Sequence, residues 1–121
     1  MQLPSILILD KEEAIRDSLQ LLLQEEGYDC FVPKDDTDSK EYLNREKIDI
    51  VIACSQFIFK STQLLEIKRE FPSVKVIAIS SYLTYETCYF ELMEWADECI
   101  LEPIDFDELL GIIRKMTLPL T

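Results

Sequence analysis

The chain has 121 residues, of which 48% are hydrophobic and 30% are charged, proportions typical of one compact globular domain over residues 1–121. It carries 12 Lys and Arg residues against 24 Asp and Glu residues, and the net charge of −12 disfavours binding to nucleic acid or to an anionic membrane. Because the sequence contains no histidine, it excludes histidine-based acid–base catalysis, phosphohistidine chemistry and histidine-ligated metal sites.

Apolar stretches at intervals along the chain predict β-strands. Three of them are almost continuously apolar, as in strands buried on both faces of a parallel sheet: Ser5–Leu9, Ile48–Cys54 and Val74–Ser80. Two shorter candidates are Tyr28–Val32 and Cys99–Leu101. The three strong strands are expected to form the centre of the sheet.

Helices are predicted between these strands and after the last one. The first has apolar residues at spacings of three and four and ends at Gly27. The others are a weakly anchored helix within Asp35–Lys47, a helical face over Leu64–Phe71, and the helices Thr84–Ala96 and Phe106–Met116. Five strands that alternate with five helices imply right-handed crossovers and an α/β, flavodoxin-like, doubly wound parallel sheet.

In a sheet of this kind, ligands bind beyond the carboxyl ends of the strands, where the strand order reverses. The residues expected at that edge are Asp10, Lys11, Cys54, Ser80, Ser81 and Glu102. The sequence has two glycines, Gly27 and Gly111, and neither follows a strand in a phosphate-binding turn. Dinucleotide binding and P-loop chemistry are therefore not expected.

Four stretches of the chain together resemble the receiver domain of two-component response regulators. They match the family's opening strand with its acids, the strand that ends in the phospho-accepting aspartate, the strand that ends in Ser or Thr, and the closing strand with its Lys-Pro turn and last helix: residues 6–16, 48–54, 71–80 and 96–110. The resemblance covers Ser5 to about Met116. It implies the strand order 2-1-3-4-5 and a role in two-component or phosphorelay signal transduction.

The resemblance also implies a phosphorylation pocket, which this sequence retains only in part. Receivers use two acids to bind a divalent cation, an aspartate that accepts the phosphoryl group, a hydroxyl and a lysine. Asp10 and Ser80 match the first acid and the hydroxyl. Lys11 stands at the second acid, Cys54 at the acceptor and Glu102 at the lysine. We therefore expect a degenerate pseudo-receiver without a cofactor, with weak or absent Mg²⁺ binding and no enzyme activity.

The altered pocket admits more than one interpretation. Lys11 and Glu102 either form an ion pair or both point to water, and Asp10 is expected to cap the following turn or to pair with Lys11. A Cys54 thiol with a pKa lowered by Lys11 would suit a redox sensor, whereas the alternative is a small buried hydrophobic residue. A small enzyme that uses Asp10 and Glu102 ranks last, because histidine and a phosphate loop are both missing.

The candidate interaction surface is formed by the fourth predicted helix, the fifth strand and the fifth helix, the surface that receivers use for dimerisation and output contacts. Cys99 occupies the position of the family's switch aromatic and is too small to act as a swinging ring. Aromatic anchors and an acid are available for partner contacts: Tyr82, Tyr85, Tyr89, Trp95 and Asp97. Core packing is the alternative role for at least one of these rings. The expected partner is a signalling protein, either a histidine kinase or an output domain, with a homodimer as a further option.

Cysteine usage and the first residues bear on the cellular compartment. The four cysteines form no C-x-x-C pair, and the apolar run of residues 6–9 is too short for a signal or an anchor. We therefore expect a cytoplasmic protein with reduced thiols and without a membrane segment.

Overall fold

The computed structural model describes residues 3–10, 12–33, 36–54, 63–81, 94 and 96–117. These residues form a five-stranded parallel sheet of order β2-β1-β3-β4-β5, which confirms the predicted fold class and strand order. The strands are β1 Ser5–Leu9, β2 Asp29–Phe31, β3 Ile50–Cys54, β4 Lys75–Ser80 and β5 Glu98–Leu101. Within the described residues the helices are α1 Glu13–Glu25, α2 Asp36–Arg45, α3 Gln63–Glu70 and α4 Phe106–Met116. Of the predicted helix Thr84–Ala96, only Glu94 and Ala96 are described.

The three strong strands lie in the middle of the sheet because both of their faces are covered. In β1, Ile6 and Ile8 pack in the cluster that includes α1 and α4, while Leu7 and Leu9 pack in the cluster that includes α2 and α3. The alternation follows from the two-residue period of a strand. Every residue of β3 is buried, as is expected of a central parallel strand.

The predicted strand Ile48–Cys54 begins two residues later than its apolar run suggests. The run Ile48–Cys54 starts with a turn, in which the Ile48 amide donates to the Glu46 carbonyl at 3.1 Å. Asp49 then pairs with Ser5 through its backbone amide and through its carboxylate, which accepts from the Ser5 amide at 2.9 Å. The strand proper therefore begins at Ile50.

The helix ends are fixed by local chemistry near the predicted positions. At the end of α1, Gly27 has a positive φ of 96°, and its amide donates to the Gln24 carbonyl at 3.0 Å. At the start of α4, the Asp105 carboxylate accepts from the Asp107 amide at 3.0 Å and from the Glu108 amide at 3.3 Å. Among the described residues, no helix combines the length and hydrophobicity needed to cross a membrane.

Candidate functional site

The carboxyl edge of the sheet brings four of the predicted site residues to one place. Asp10 directly follows β1, Cys54 ends β3, Ser80 ends β4, and Glu102 directly follows β5. The strand register aligns Leu9 with Ala53, Cys54 with Ile79, and Ser80 with Leu101, so these ends are neighbours. Of the other two residues predicted at this edge, Ser81 directly follows β4, and Lys11 lies outside the described residues.

The Asp10 carboxylate is held in place by the turn that leads into α1. The residue is 8% exposed, and its Oδ1 atom accepts a hydrogen bond from the Glu12 amide at 2.9 Å. It also makes a side-chain hydrogen bond with Cys54. Asp10 thus caps the turn, as one of the two sequence-based expectations has it, and ties the end of β1 to the end of β3.

The Cys54 thiol lies in an environment that opposes ionisation. Burial raises its pKa well above the ordinary thiol value, as do the hydrogen bond to Asp10 and the negative charges of Asp10, Glu102 and Glu12. The thiol is therefore protonated at neutral pH, which contradicts the lowered pKa that the redox alternative requires and agrees with the alternative of a small buried residue. The sequence identified the strand end but did not reveal how deeply the thiol is buried or how many carboxylates act on it.

Ser80 and Glu102 mark the ends of the paired strands β4 and β5. Ser80 is completely buried, and its hydroxyl donates to the Ser81 carbonyl at 3.0 Å. Glu102 is exposed, its amide donates to the Ser80 carbonyl at 2.8 Å, and its peptide bond to Pro103 is cis. The predicted ion pair between Lys11 and Glu102 stays a prediction, because Lys11 lies outside the described residues.

The predicted switch position is occupied by a half-buried thiol. Cys99 packs at the border of the cluster that includes α2 and α3, and burial, followed by the charge of Glu98, raises its pKa. The aromatic residues of the predicted interaction surface all lie outside the described residues: Tyr82, Tyr85, Tyr89 and Trp95. Their role in partner binding stays a prediction.

Asp97, the one described member of that surface, is bonded within the fold. Its Oδ2 atom accepts from the Val76 amide at 2.7 Å and from the Lys68 ammonium at 2.8 Å. Sequence reasoning missed these contacts. The available signal was an acid directly before a strand, together with lysine in the last turn of a preceding helix.

A further feature missed in the sequence is an apolar groove between α1 and the connection from β5 to α4. Its volume is about 290 Å³, and it is lined by Ala14, Ile15, Ser18, Leu19, Leu22, Ile104 and Phe106. Leu22 is 38% exposed, and the adjacent Leu21 is 58% exposed. These two exposed leucines on a helix were the available sequence signal for an apolar surface.

The site offers limited chemistry. Its described side chains are one buried carboxylate, one protonated thiol, one buried hydroxyl and one exposed carboxylate, on Asp10, Cys54, Ser80 and Glu102. The described part of the chain contains no group of three or more Cys, Asp, Glu or His residues that could hold a metal ion. A hydroxyl held by a neighbouring carbonyl and a protonated thiol are poor nucleophiles.

The chain is similar to response regulators in sequence and in fold, although no family model matches it. A protein named as an NtrX-like response regulator of Rickettsia bellii is 29% identical over 119 residues, which cover 95% of this chain and 25% of that protein. The response regulator protein TrrA of Thermotoga maritima, solved in complex with Mg²⁺-BeF, is 28% identical with a TM-score of 0.77, covering 94% of this chain and 99% of that one. A receiver domain from Bacteroides fragilis, 21% identical, shares the fold with a TM-score of 0.86 over 98% of this chain and 99% of its own. The chain spans about a quarter of the length of the curated relatives that it matches.

Proposed function

We propose that the chain, which is similar in sequence and fold to the receiver domains of response regulators, acts by protein–protein recognition without accepting a phosphoryl group. The observation that carries this proposal is the buried, protonated Cys54 thiol at the end of β3, the strand whose family counterpart ends in the acceptor aspartate. A thiol cannot form the acyl phosphate on which receiver signalling depends.

The charges around Cys54 support the same conclusion. Phosphoryl transfer to a receiver requires a divalent cation and a lysine, which together offset the negative charge of the incoming group. Here the Asp10 carboxylate is already bonded to the Glu12 amide and to Cys54, and Glu102 adds negative charge at the lysine position. We expect Mg²⁺ to bind weakly or not at all, and we assign the domain no enzymatic reaction.

The surface that fits a protein partner best among the described residues is the groove beside α1. Its lining is mostly apolar, and exposed acids lie next to lining residues in the sequence: Glu13 and Asp17 on α1, of which Asp17 is 3.7 Å from Arg16, and Asp105 and Asp107 at the start of α4. An apolar groove with an acidic rim complements a helix that has an apolar face flanked by Lys or Arg. A helix of a histidine kinase or of an output domain is a partner of that kind, and we propose that the contact takes place in the cytoplasm.

A binding experiment tests this function directly. The probe is a synthetic amphipathic helix with leucines on one face and lysines beside them, and its control is the same peptide with glutamates in place of the lysines. We expect the basic peptide to shift the amide signals of α1 in a ¹H–¹⁵N spectrum, with the same affinity in the presence and absence of acetyl phosphate and Mg²⁺. We also expect Leu22→Asp to weaken binding at least about tenfold, a loss consistent with a buried apolar anchor.

The matched control variant is Leu3→Asp, because Leu3 is 44% exposed but lies away from the groove. It should bind the basic peptide like the unmodified protein. Equal binding of both peptides, or an affinity that rises when acetyl phosphate is added, would contradict the proposal. If the molar mass instead doubles as the protein concentration rises, and Leu22→Asp stays monomeric, a second copy of the chain occupies the groove.

A further inference from the structure

A charged contact at the amino-terminal end of β5 joins three elements of the fold. The Lys68 ammonium, near the end of α3, donates to the Asp97 carboxylate at 2.8 Å and to the Val74 carbonyl at 3.1 Å. The same Asp97 oxygen accepts from the Val76 amide of β4 at 2.7 Å. We call this arrangement of Lys68 and Asp97 the charged clasp.

The charged clasp lies where the pairing of β5 with β4 begins. Asp97 contacts Val76 twice, because its backbone amide donates to the Val76 carbonyl at 2.8 Å while its carboxylate accepts from the Val76 amide. This double contact favours the observed alignment, in which Ile77 is paired with Glu98. A slip of one residue would carry Ile100, which is 1% exposed, out of the core.

The other end of the same strand pair carries the candidate site. The Glu102 amide donates to the Ser80 carbonyl at 2.8 Å, so the register set at Asp97 determines which residue lies beside Ser80. We propose that Lys68 and Asp97 are positioning residues, which fix the register of the edge strand β5 and thereby the place of Glu102 in the site. Loss of the charged clasp would then loosen the site from the amino-terminal end of the same strand pair.

The protein contains an ordinary surface ion pair for comparison. Lys40 and Glu66 join α2 to α3 at 3.4 Å, with side chains 49% and 47% exposed. In the charged clasp the side chains are 22% and 29% exposed, and both charged groups also bond to backbone atoms. Charged hydrogen bonds are stronger than neutral ones, and the lower exposure reduces screening. Of these two ion pairs, only the charged clasp is therefore expected to hold a strand, β5, in its register.

Amide hydrogen exchange and ¹H–¹⁵N spectra of four variants test the inference. Lys68→Met and Asp97→Asn each remove one charge of the clasp, Lys68→Arg keeps the charge, and Lys40→Met disrupts the comparison pair. We expect the first two to speed exchange in residues 97–102 about tenfold, with exchange in β1 and β3 unchanged, and to shift the Ser80 and Glu102 amide signals. In Lys68→Arg and Lys40→Met, the exchange rates of residues 97–102 should stay within about twofold of those of the unmodified protein. The Ser80 and Glu102 amide signals should stay in place.

The inference is overturned if β5 exchanges at its original rate in Asp97→Asn, or if exchange rises equally in every strand. It is also overturned if the amide signals of Ser80 and Glu102 do not move while those of residues 97 and 98 do. Asp97→Asn keeps an oxygen that can accept from Val76, so it decides the question even where Lys68→Met does not fold.

Discussion

At the scale of single residues, burial has more influence on the thiols than any neighbouring charge. Cys30 is 8% exposed, and burial, together with Asp29, raises its pKa to about 12 from 9.0. Burial likewise raises the pKa of Cys54, and the carboxylates around it act in the same direction. The two thiols stay protonated in the folded protein over a pH range in which the unfolded chain would lose those protons.

This difference predicts how stability depends on pH. A folded-state pKa above the unfolded value gives stability that is complete below the unfolded pKa, here 9.0, and that falls as pH rises towards the folded pKa. The free energy of unfolding by urea should therefore decrease from about pH 9 towards pH 11. Cys54→Ala should reduce that slope by up to about 1.4 kcal/mol per pH unit, the value for one proton.

The control for this measurement is Cys99→Ala. Cys99 is only half-buried and its pKa is raised by a weaker set of causes, so its removal should change the slope less. A slope that is the same in the unmodified protein and in Cys54→Ala would mean that the thiol ionises as easily in the folded state as in the unfolded one. That result would contradict the raised pKa of the folded-state thiol, whereas the redox interpretation of Cys54 requires a folded-state pKa below the unfolded value.

At the scale of secondary structure, the two glycines provide a test of how α1 ends. Gly27 has a φ of 96°, and a Cβ atom there would lie 2.9 Å from the Leu3 side chain. Gly111 lies inside α4, and a Cβ there would meet nothing within 4 Å. Gly27→Ala should lower the free energy of unfolding by roughly 1–2 kcal/mol. Gly111→Ala should raise it by roughly 0.5–1 kcal/mol, since alanine favours helix.

Chemical denaturation monitored by circular dichroism measures both changes in the same way. The opposite signs separate a conformational effect at Gly27 from a general effect of adding a methyl group. A Gly27→Ala variant as stable as the unmodified protein would show that α1 can end without a left-handed residue.

The elements that the sequence predicted correctly are those with a strong local signal. Continuous apolar runs identified β1, β3 and β4, and Gly27 identified the end of α1. The start of β3 was predicted two residues early, because Ile48 is apolar and Asp49 alternates with apolar residues. In the structure Ile48 lies in a turn, and Asp49 is hydrogen-bonded to Ser5. Boundaries of this kind depend on tertiary hydrogen bonds, which a hydrophobic pattern does not encode.

At the scale of the whole molecule, topology explains why the site could be predicted in outline but not in detail. Parallel strands with right-handed crossovers bring their carboxyl ends to one edge, so the sequence alone placed Asp10, Cys54, Ser80 and Glu102 together. The thiol pKa, the engagement of Asp97 by Lys68 and the groove beside α1 all depend on which side chains meet across the fold. None of these three follows from spacing along the chain.

The central claim is that this domain, which is similar to response-regulator receivers, recognises partners without accepting a phosphoryl group. Intact-protein mass spectrometry after incubation with acetyl phosphate and Mg²⁺ tests it most directly, with a variant that carries Cys54→Asp, Lys11→Asp and Glu102→Lys beside the unmodified protein. We expect the variant to gain one phosphoryl group and the unmodified protein to gain none, because its strand β3 ends in a buried thiol. A phosphoryl group on the unmodified protein would contradict the account, and the modified residue would identify the carboxylate that has replaced Cys54 as acceptor.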